Sequence, residues 1–303
     1  MARDRLIHLG TQRYGGPRPP VSIVILTYNE QDNIRQAIES CHWCDDVAVL
    51  DSGSTDQTTE IARELGVPVY EHSFRSFGDQ RNWAIDNIPR KHQWCFHLDA
   101  DERFTSELVR EMHDRIADAP SDLAAFHIPS KLILHNTWLR RSGGYPTYQV
   151  RLFRPDLCRF QDFGHGQREA TEHRVERLGS PYLHFAFSKG LREWLEKHNR
   201  YSSREACEGQ SSAFVHSVVQ LMTSDAVKRR RALKDISYRL PGRAFARFIF
   251  DYFCRLGFID GWAAFHYCAM IAMYEYWTSV KLRENRCDWR SSTQDVARKA
   301  VEE

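Results

Sequence analysis

Apolar runs alternate with amphipathic stretches along the first 118 residues of the chain. The runs predict buried strands over 21–26, 47–50 and 94–98, and a shorter strand over 67–70 that Pro68 places near a sheet edge. Between them, apolar residues recur at helical spacing and predict helices: Ile34, Ala37, Ile38 and Cys41; Ile61, Ala62 and Leu65; a helix around 79–85; then Leu108, Met112 and Ile116. This order predicts an α/β fold with a mainly parallel sheet.

Side chains with capping chemistry mark the expected helix starts. Asn29 is placed to cap the helix after the first strand, and Ser54 and Gln57 have capping-box spacing for the second helix. A further helix is expected to start after Thr105.

The pattern changes from about residue 124. Strands are predicted over 124–128, 148–153 and 182–185, with glycine-containing loops over 142–146 and 163–169 between them. Glycine lets the backbone approach a ligand closely, so each loop is either a ligand-binding segment or a plain turn. The chain is expected to be helical from about 188 to its end. We therefore expect a loosely ordered segment 1–20, an α/β domain 21–187 and a helical region 188–303.

Composition narrows the class of protein. The chain has 303 residues, 42% of them apolar, and a net charge of only +2, which predicts a globular protein without a general attraction to nucleic acids. The eight cysteines follow no regular spacing and no secretory leader is evident, so a cytoplasmic location is expected. Cys41 and Cys44 form a C-x-x-C pair without the second pair that a zinc site needs.

A basic, aromatic-rich segment lies in the helical region. Residues 226–250 hold eight basic side chains and one acid, and the aromatic residues Phe245, Phe248 and Phe250 lie beside them. This mixture favours contact with an anionic membrane surface, with a solvated helix face and RNA binding as alternatives. Residues 262–280 have about the length of a membrane span, but His266 and Glu275 favour a packed or interfacial helix.

The tripeptide Asp99-Ala100-Asp101 follows the apolar run that ends at Leu98. Residues two apart in a strand point the same way, so both carboxylates are expected at the carboxyl end of a central strand, where open α/β sheets bind ligands. Two carboxylates favour a hard divalent cation, and the plain alternative is an acidic turn. Neither a G-x-G-x-x-G motif after the first strand nor a P-loop motif is present, which disfavours dinucleotide-binding and P-loop proteins.

Three strand-end motifs resemble those of the inverting GT-A glycosyltransferases of family 2, and more narrowly the branch typified by the lipopolysaccharide-core β-1,4-glucosyltransferase. They are Val21 to Glu30, Val49 to Asp56 and Leu98 to Glu102. Other segments also match that branch: 77–84, 143–146, 151–154, 183–185 and 255–261. The resemblance spans residues 21–282. It implies that 21–187 is a GT-A catalytic domain with a helical C-terminal extension.

The resemblance implies a nucleotide-diphospho-sugar donor, expected to be UDP-linked, and a Mg²⁺ or Mn²⁺ ion that stabilises the leaving diphosphate. Asp101 would be the principal metal ligand, and Asp99 would lie nearer the ribose and the metal-bound waters. His184 resembles the histidine that completes the metal or diphosphate site in many GT-A enzymes. As a histidine at the end of an apolar strand, it is equally a candidate core residue.

Four residues at the ends of the first two strands are expected beside the nucleoside: Thr27, Tyr28, Glu30 and Asp51. Asp51 would accept a hydrogen bond from the uracil N3–H, and Tyr28 would stack on the base. Arg81 matches a family position near the diphosphate, and its alternative is a surface position on a helix.

An inverting transfer also needs a general base for the acceptor hydroxyl. In the resembled branch a His-Glu pair follows the strand after Arg-Leu-Phe-Arg, but here His165 is not followed by Glu. Glu169 is the candidate base, with His165 and Asp162 behind it. Because of this departure, the acceptor of the core glucosyltransferases is not carried over to this chain.

Together these features predict a metal-dependent enzyme that moves a sugar onto a lipid-linked saccharide in lipopolysaccharide or exopolysaccharide biosynthesis, peripheral at the inner membrane face. One alternative is a sugar-nucleotide pyrophosphorylase, which would need a glycine-rich phosphate loop where residues 27–30 stand. A haloacid-dehalogenase-type phosphatase carries its D-x-D after the first strand, not the fourth. A nucleic-acid-binding adaptor using the basic helix is the non-enzymatic alternative, although no nucleic-acid partner is expected.

Overall fold

The computed structural model describes residues 14–163, 166–208 and 242–286. These residues form two compact units whose boundary in the sequence lies between Gly190 and Leu191. Of the N-terminal segment expected to be loosely ordered, residues 1–13 lie outside the described residues.

The first unit begins with four parallel strands in the order β3-β2-β1-β4. Helices connect them, and the elements fall close to where the apolar periodicity predicts them. The strands are β1 (Val21–Thr27), β2 (Val47–Asp51), β3 (Val69–Glu71) and β4 (Trp94–Asp99), and the helices are α1 (Ile34–Ser40), α2 (Thr58–Glu64), α3 (Phe77–Asn87) and α4 (Ser106–Ala117). As Pro68 predicts, β3 lies at the edge of the sheet.

The sheet continues beyond β4 with mixed directions, in the order β4-β8-β6-β12-β5, and β7 and β11 also pair with β6. β8 runs antiparallel to both β4 and β6, whereas β12 is parallel to β6. These strands are β5 (Glu102–Arg103), β6 (Leu123–Leu134), β7 (Thr137–Trp138), β8 (Thr147–Phe153), β11 (Arg174–Arg177) and β12 (Tyr182–His184). The predicted α/β fold with a mostly parallel sheet flanked by helices is confirmed.

The segment 163–169 is not the open loop that its glycines suggest. β9 (Arg159–Phe163) and β10 (Gly166–Ala170) form an antiparallel hairpin in which Glu169 lies opposite Phe160. The side chain of Asn82 on α3 fixes this hairpin, because its amide donates to the Phe160 carbonyl at 2.8 Å and its oxygen accepts from the Phe160 N–H at 3.0 Å. Residues 164 and 165, which lie between the two strands in the sequence, are outside the described residues.

Two apolar clusters fill the two faces of the sheet, as the alternation along β4 requires. Phe96 and Leu98 pack in the cluster that includes α1 and α4, whereas Cys95 packs with Ala84 and Phe153 in the other.

Two of the predicted helix caps are wrong. Asn29 adopts a left-handed backbone conformation (φ 51°), and its Oδ1 accepts from the Thr55 N–H at 2.7 Å, while α1 begins later at Ile34. The hydroxyl of Ser54 donates to Asp51 and accepts from the Asn29 N–H instead of capping α2. These polar side chains therefore tie the turns after β1 and β2 to each other. Thr105 does cap α4, accepting from the Leu108 N–H at 3.2 Å.

The second unit is helical over its described residues. It contains α5 (Gly190–Glu208, which begins one residue before the boundary), α6 (Arg243–Ile249) and α7 (Trp262–Arg286), and a π-helical turn (Phe250–Cys254) and a 3₁₀ turn (Gly257–Asp260) join the last two. Arg243 pairs with Glu275 at 2.6 Å and Arg247 pairs with Asp251 at 2.6 Å. Among the helices described, none combines the length and the apolar composition needed to cross a bilayer. The other basic residues of the 226–250 segment, from Lys228 to Arg239, lie outside the described residues.

Candidate active site

The register of the parallel strands brings several sequence-predicted residues to one edge of the sheet. Thr27 at the end of β1 lies opposite Asp51 at the end of β2, and Leu26 lies opposite Asp99 at the end of β4. The carboxyl ends of these three strands are the ligand-binding edge of an open α/β sheet.

Asp101 and His184 meet just beyond that edge. β5 pairs antiparallel with β12 so that His184 lies opposite Glu102, and the Phe185 N–H donates to the Asp101 carbonyl at 2.8 Å. This pairing places the His184 Nε2 3.3 Å from the Asp101 Oδ2, with side-chain exposures of 32% and 19%. Burial alone lowers the pKa of His184, but the Asp101 carboxylate raises it above its ordinary value.

The Asp101–His184 pair offers one carboxylate and one imidazole to a cation. The described residues contain no group of three or more His, Cys, Asp or Glu side chains that would enclose a metal by themselves. Mg²⁺ in phosphate-binding sites is held by one or two carboxylates together with substrate phosphates, so a full protein cage is not required. The donor set therefore fits a divalent ion shared with a diphosphate.

Asp99 has different partners from Asp101. Its Oδ1 accepts from Arg81 Nη2 at 2.9 Å and its Oδ2 accepts from Arg151 Nη2 at 2.6 Å. Burial raises the pKa of Asp99, but the two guanidinium groups bring it below its ordinary value. The first carboxylate of the D-x-D motif is thus ionised and fixed by arginines.

Arg151 and Glu102 lie beneath Asp99 and are both buried. Arg151 Nη2 also donates to Glu102 Oε1 at 2.5 Å, and Glu102 Oε2 accepts from the Asp99 N–H at 3.0 Å. Burial raises the pKa of Glu102 above its usual value. Neither residue is among the site residues predicted from the sequence, although both lie inside motifs that match the family.

Arg81 is buried, with 1% of its surface exposed, so the alternative of a surface helix position is excluded. Its guanidinium lies over the Phe160 ring, 5.7 Å from the ring centroid. With the amide oxygen of Gln167 turned toward it, Arg81 donates to that oxygen from Nε at 2.8 Å. Through Gln167, the β10 strand is connected to the Asp99 network.

The residues expected beside the nucleoside differ in how open they are. Both carboxylate oxygens of Asp51 bind its own turn, accepting from the Gly53 N–H at 2.9 Å, the Ser54 N–H at 2.7 Å and the Ser54 hydroxyl at 2.5 Å. The Oγ1 of Thr27 is buried and has no hydrogen-bond partner. Tyr28 is 55% exposed, so its ring is accessible.

Glu30 forms an ion pair that the sequence analysis missed. Its carboxylate lies 2.7 Å from Lys189 Nζ and accepts from the Asn33 amide at 2.6 Å. Lys189 also donates to the carbonyl of Tyr28 at 3.3 Å. Burial raises the pKa of Glu30 despite the lysine. These contacts fix the backbone at Tyr28 and just after it.

Two of the candidate bases, Glu169 and Asp162, lie on the β9–β10 hairpin. Glu169 Oε1 is 3.4 Å from His127 Nε2, and the hydrogen bond from His127 lowers the pKa of Glu169. Asp162 accepts from the Gly78 N–H at 2.9 Å, at the start of α3. His165 lies outside the described residues.

Known proteins resemble the chain over most of this region. The family model described as "Glycosyl transferase family 2" matches residues 22–198, more than half of the chain. A protein of Rhizobium meliloti named lipopolysaccharide core biosynthesis glycosyltransferase LpsC is 30% identical over 200 residues, covering 63% of this chain and 72% of that protein. A glycosyltransferase of Rickettsia felis is 26% identical over 285 residues, covering 88% of this chain and 90% of that one.

Solved structures give weaker likenesses. S. aureus TarS residues 1–349 superpose with a TM-score of 0.38 at 15% identity, over 88% of this chain and 91% of that chain. The Mycobacterium tuberculosis glucosyl-3-phosphoglycerate synthase, in complex with Mn²⁺ and UDP-glucose, gives a TM-score of 0.31 at 21% identity, over 38% and 44% of the two chains. Similarities of this size are too weak to support conclusions about the present site.

Proposed function

The chain belongs to glycosyltransferase family 2, and on this premise we propose that it transfers a sugar, with inversion, from a UDP-sugar to a lipid-linked saccharide. The pair formed by Asp101 and His184 at the ligand-binding edge of the sheet carries the proposal. The name of the Rhizobium relative supports an acceptor in lipopolysaccharide biosynthesis. Other cell-surface polysaccharides form the wider class of acceptors. The family assignment favours transfer over the pyrophosphorylase alternative.

In this proposal Asp101 and His184 would hold a Mg²⁺ or Mn²⁺ ion, with Asp99 beside them. The ion would supply Lewis-acid stabilisation of the negative charge that develops on the leaving diphosphate. Both Asp99 oxygens accept from arginines, and their remaining lone pairs would face the ribose and the waters on the ion. Arg81 acts on the donor by holding Asp99 in place, because its own guanidinium is buried.

The nucleoside lies at the ends of β1 and β2. The exposed ring of Tyr28 stacks on the base. Asp51 accepts from the uracil N3–H while it also closes its own turn, and the unpaired Thr27 hydroxyl supplies a further polar contact. Glu30 and its partner Lys189 keep the Tyr28 backbone in position.

Glu169 removes the proton from the acceptor hydroxyl as the sugar is transferred. The carboxylate is ionised at neutral pH, as a general base requires, and the His127 hydrogen bond lowers its pKa further. His165 is the second candidate for this role.

We place the enzyme in the cytoplasm, peripheral at the inner membrane face, because a lipid-linked acceptor is anchored there and residues 228–239 are strongly basic. Flotation with vesicles of neutral or anionic lipid tests this placement. Binding should require anionic lipid and be lost when Arg229, Arg230 and Arg231 are changed to Glu. Binding that is indifferent to lipid charge and to these changes would contradict the membrane proposal.

A thermal-shift screen tests the donor. UDP-, GDP-, CDP- and ADP-linked sugars are added with Mn²⁺, and a ligand at a hundred times its dissociation constant stabilises the native state by about 2.7 kcal/mol. We expect UDP-sugars to raise the melting temperature of the wild type and to have a much smaller effect on Asp101→Asn. The absence of a shift with every nucleotide-sugar would contradict the proposed function.

A further inference from the structure

A group of cationic and aromatic side chains lies on the strands next to the Asp101–His184 pair. Lys131 Nζ is 4.7 Å from the centroid of the Trp138 ring, and the Arg140 guanidinium is 5.4 Å from the same centroid. The ring of Tyr145 meets Trp138 edge-on at 5.1 Å. We name these four residues the cationic aromatic cluster.

The fold explains how the cluster forms. β7 turns back on β6 so that Trp138 lies opposite Ile133, two residues from Lys131 on the neighbouring strand. The Tyr145 N–H donates to the Arg140 carbonyl at 3.1 Å, which closes the loop that carries both residues. Backbone pairing therefore holds the four side chains together.

Within the part of the chain that the structure describes, no carboxylate compensates the positive charge of the cluster. The sequence has no Asp or Glu between Asp122 and Asp156, whereas this stretch holds five Lys and Arg residues. Arg151 pairs with Asp99 and Glu102, and buried Arg154 donates to backbone carbonyls. Neither Lys131 nor Arg140 forms an ion pair with any carboxylate of the described residues. Two cations drawn to one indole ring repel each other, and a bound anion would relieve that repulsion.

The chemistry of these groups indicates what kind of ligand they bind. The groups that the cluster offers to a ligand are the half-buried Lys131 ammonium and the exposed Arg140 guanidinium, whereas the indole N–H of Trp138 is buried without an acceptor. A lysine ammonium and an arginine guanidinium together suit a phosphate or carboxylate oxygen. Cation–π contact with Trp138 holds both groups ready, which lowers the entropy cost of binding.

The cluster lies beside the proposed transfer site. β6 pairs parallel with β12 so that Leu132, not Lys131, lies opposite His184, and the pleat therefore points the Lys131 side chain to the other face of the sheet from His184. That face also carries the side chain of His127, four residues before Lys131 on β6, and His127 contacts the candidate base Glu169. A saccharide with its reacting hydroxyl near Glu169 would extend its next groups along β6 toward this surface.

We propose that the cationic aromatic cluster binds the negatively charged group of an anionic saccharide, and that it forms part of the acceptor site. Only the identification of the cluster as part of an acceptor site rests on the proposed function. Lys131 and Arg140 contact the anion, and Trp138 is a positioning residue that holds them. Phosphate and carboxylate groups are both compatible with this chemistry.

Ligand-observed saturation-transfer NMR on the full chain tests the proposal without a donor, a metal or a transfer reaction. The probes are glucose 6-phosphate, glucuronate and uncharged glucose. We expect at least one anionic sugar to bind more tightly than glucose, and about tenfold more weakly to the Lys131→Gln/Arg140→Gln double variant. Trp138→Leu should weaken binding, and Trp138→Phe should restore most of it because the ring is kept.

Lys197→Gln is the matched control, because Lys197 also lies over an aromatic ring, that of Tyr201, but belongs to the second unit. It should bind the probes as the wild type does. Equal affinity for glucose and both anionic sugars, or no detectable binding of any probe, would overturn the proposal. Binding that survives the double substitution would place the probe elsewhere and would also overturn it. None of these results depends on whether the chain hydrolyses a nucleotide-sugar, so failure of the inference is distinct from failure of the proposed function.

Discussion

Arg151 on β8 donates a 2.6 Å hydrogen bond to Asp99 at the end of β4. The same nitrogen reaches Glu102, which in turn accepts from the backbone of Asp99. One buried arginine therefore balances two carboxylates and fixes the first acid of the D-x-D motif. The second acid, Asp101, lies with His184 at the edge of the site.

Replacing Arg151 should lower the free energy of unfolding of the protein. Arg151→Met leaves Glu102 and Asp99 without their shared cation, and breaking a buried pair in this way typically costs about 3–5 kcal/mol. Denaturant unfolding of the wild type and the variant measures the loss.

Arg159→Ala is the control for that prediction, because Arg159 pairs with Asp86 where both side chains are about half exposed. An exposed pair contributes less than about 1 kcal/mol. A loss for Arg151→Met as small as that of the control would show that the buried network contributes little to stability.

Most of the strands and helices of the first unit could be predicted from the sequence because their signals are local. A continuous apolar run marks β1 or β4, and apolar residues at helical spacing mark the inner face of α4. The capping predictions for Asn29 and Ser54 failed because the two turns bind each other across the chain. Local spacing does not contain that contact.

The residue pairs of the candidate site could not be predicted from local sequence for the same reason. Arg81 looks like any polar residue on a helix, and only the fold shows that it is buried against Asp99. Nothing near Glu169 in the sequence indicates His127, because the two meet only when the β9–β10 hairpin lies beside β6. The apolar run and the D-x-D pattern located the acids at the end of β4, and the resemblance to a family selected Arg81. The hydrogen bonds that join Asp99 to Arg81 and Arg151 emerged only from the structure.

The pH dependence of activity tests the role of Glu169. The hydrogen bond from His127 lowers the pKa of Glu169 below its ordinary value, so the carboxylate stays ionised until the pH falls below this lowered pKa. His127→Phe removes the donor and should move the acid limb of the kcat/KM profile to higher pH. Glu169→Gln should lower kcat by about 10²- to 10⁴-fold. A full rate in Glu169→Gln would exclude it as the base and direct attention to His165.

His97 should make stability fall on the acid side of neutrality. It is fully buried, neither ring nitrogen has a hydrogen-bond partner, and burial lowers its pKa well below the ordinary value. The unfolded chain takes up a proton below about pH 6.5 and the folded chain does not, so stability is complete above that pH and is lost as the pH falls.

Between pH 7.5 and 5.5 this effect is worth about 1.4 kcal/mol. The free energy of unfolding is measured at both pH values for the wild type and for His97→Leu. Its decrease from pH 7.5 to 5.5 should be larger by that amount in the wild type. Equal responses would show that the imidazole is protonated, or solvated, in the folded protein.

Thiol reactivity tests whether the C-x-x-C pair, Cys41 and Cys44, has a metal-binding or redox role. Burial raises the pKa of Cys44 to about 12, and burial also raises the pKa of its neighbour Cys41. Neither should form a thiolate at pH 8. Alkylation of the native protein followed by mass spectrometry should label exposed Cys207 and Cys254 and leave this pair unmodified. Rapid labelling of Cys41 or Cys44 would reopen the possibility of a metal or redox role.

The most direct test of the central claim is the Mn²⁺ dependence of UDP-sugar hydrolysis by the wild type and by Asp101→Asn. The exposed residue Asp86 provides the control variant Asp86→Asn. We expect the wild type and the control to lose activity with EDTA and to recover it with Mn²⁺ or Mg²⁺. Asp101→Asn should be slower by about 10²- to 10³-fold at any metal concentration. Hydrolysis by Asp101→Asn at the wild-type rate would contradict the assignment of Asp101 and His184 as the metal-binding pair.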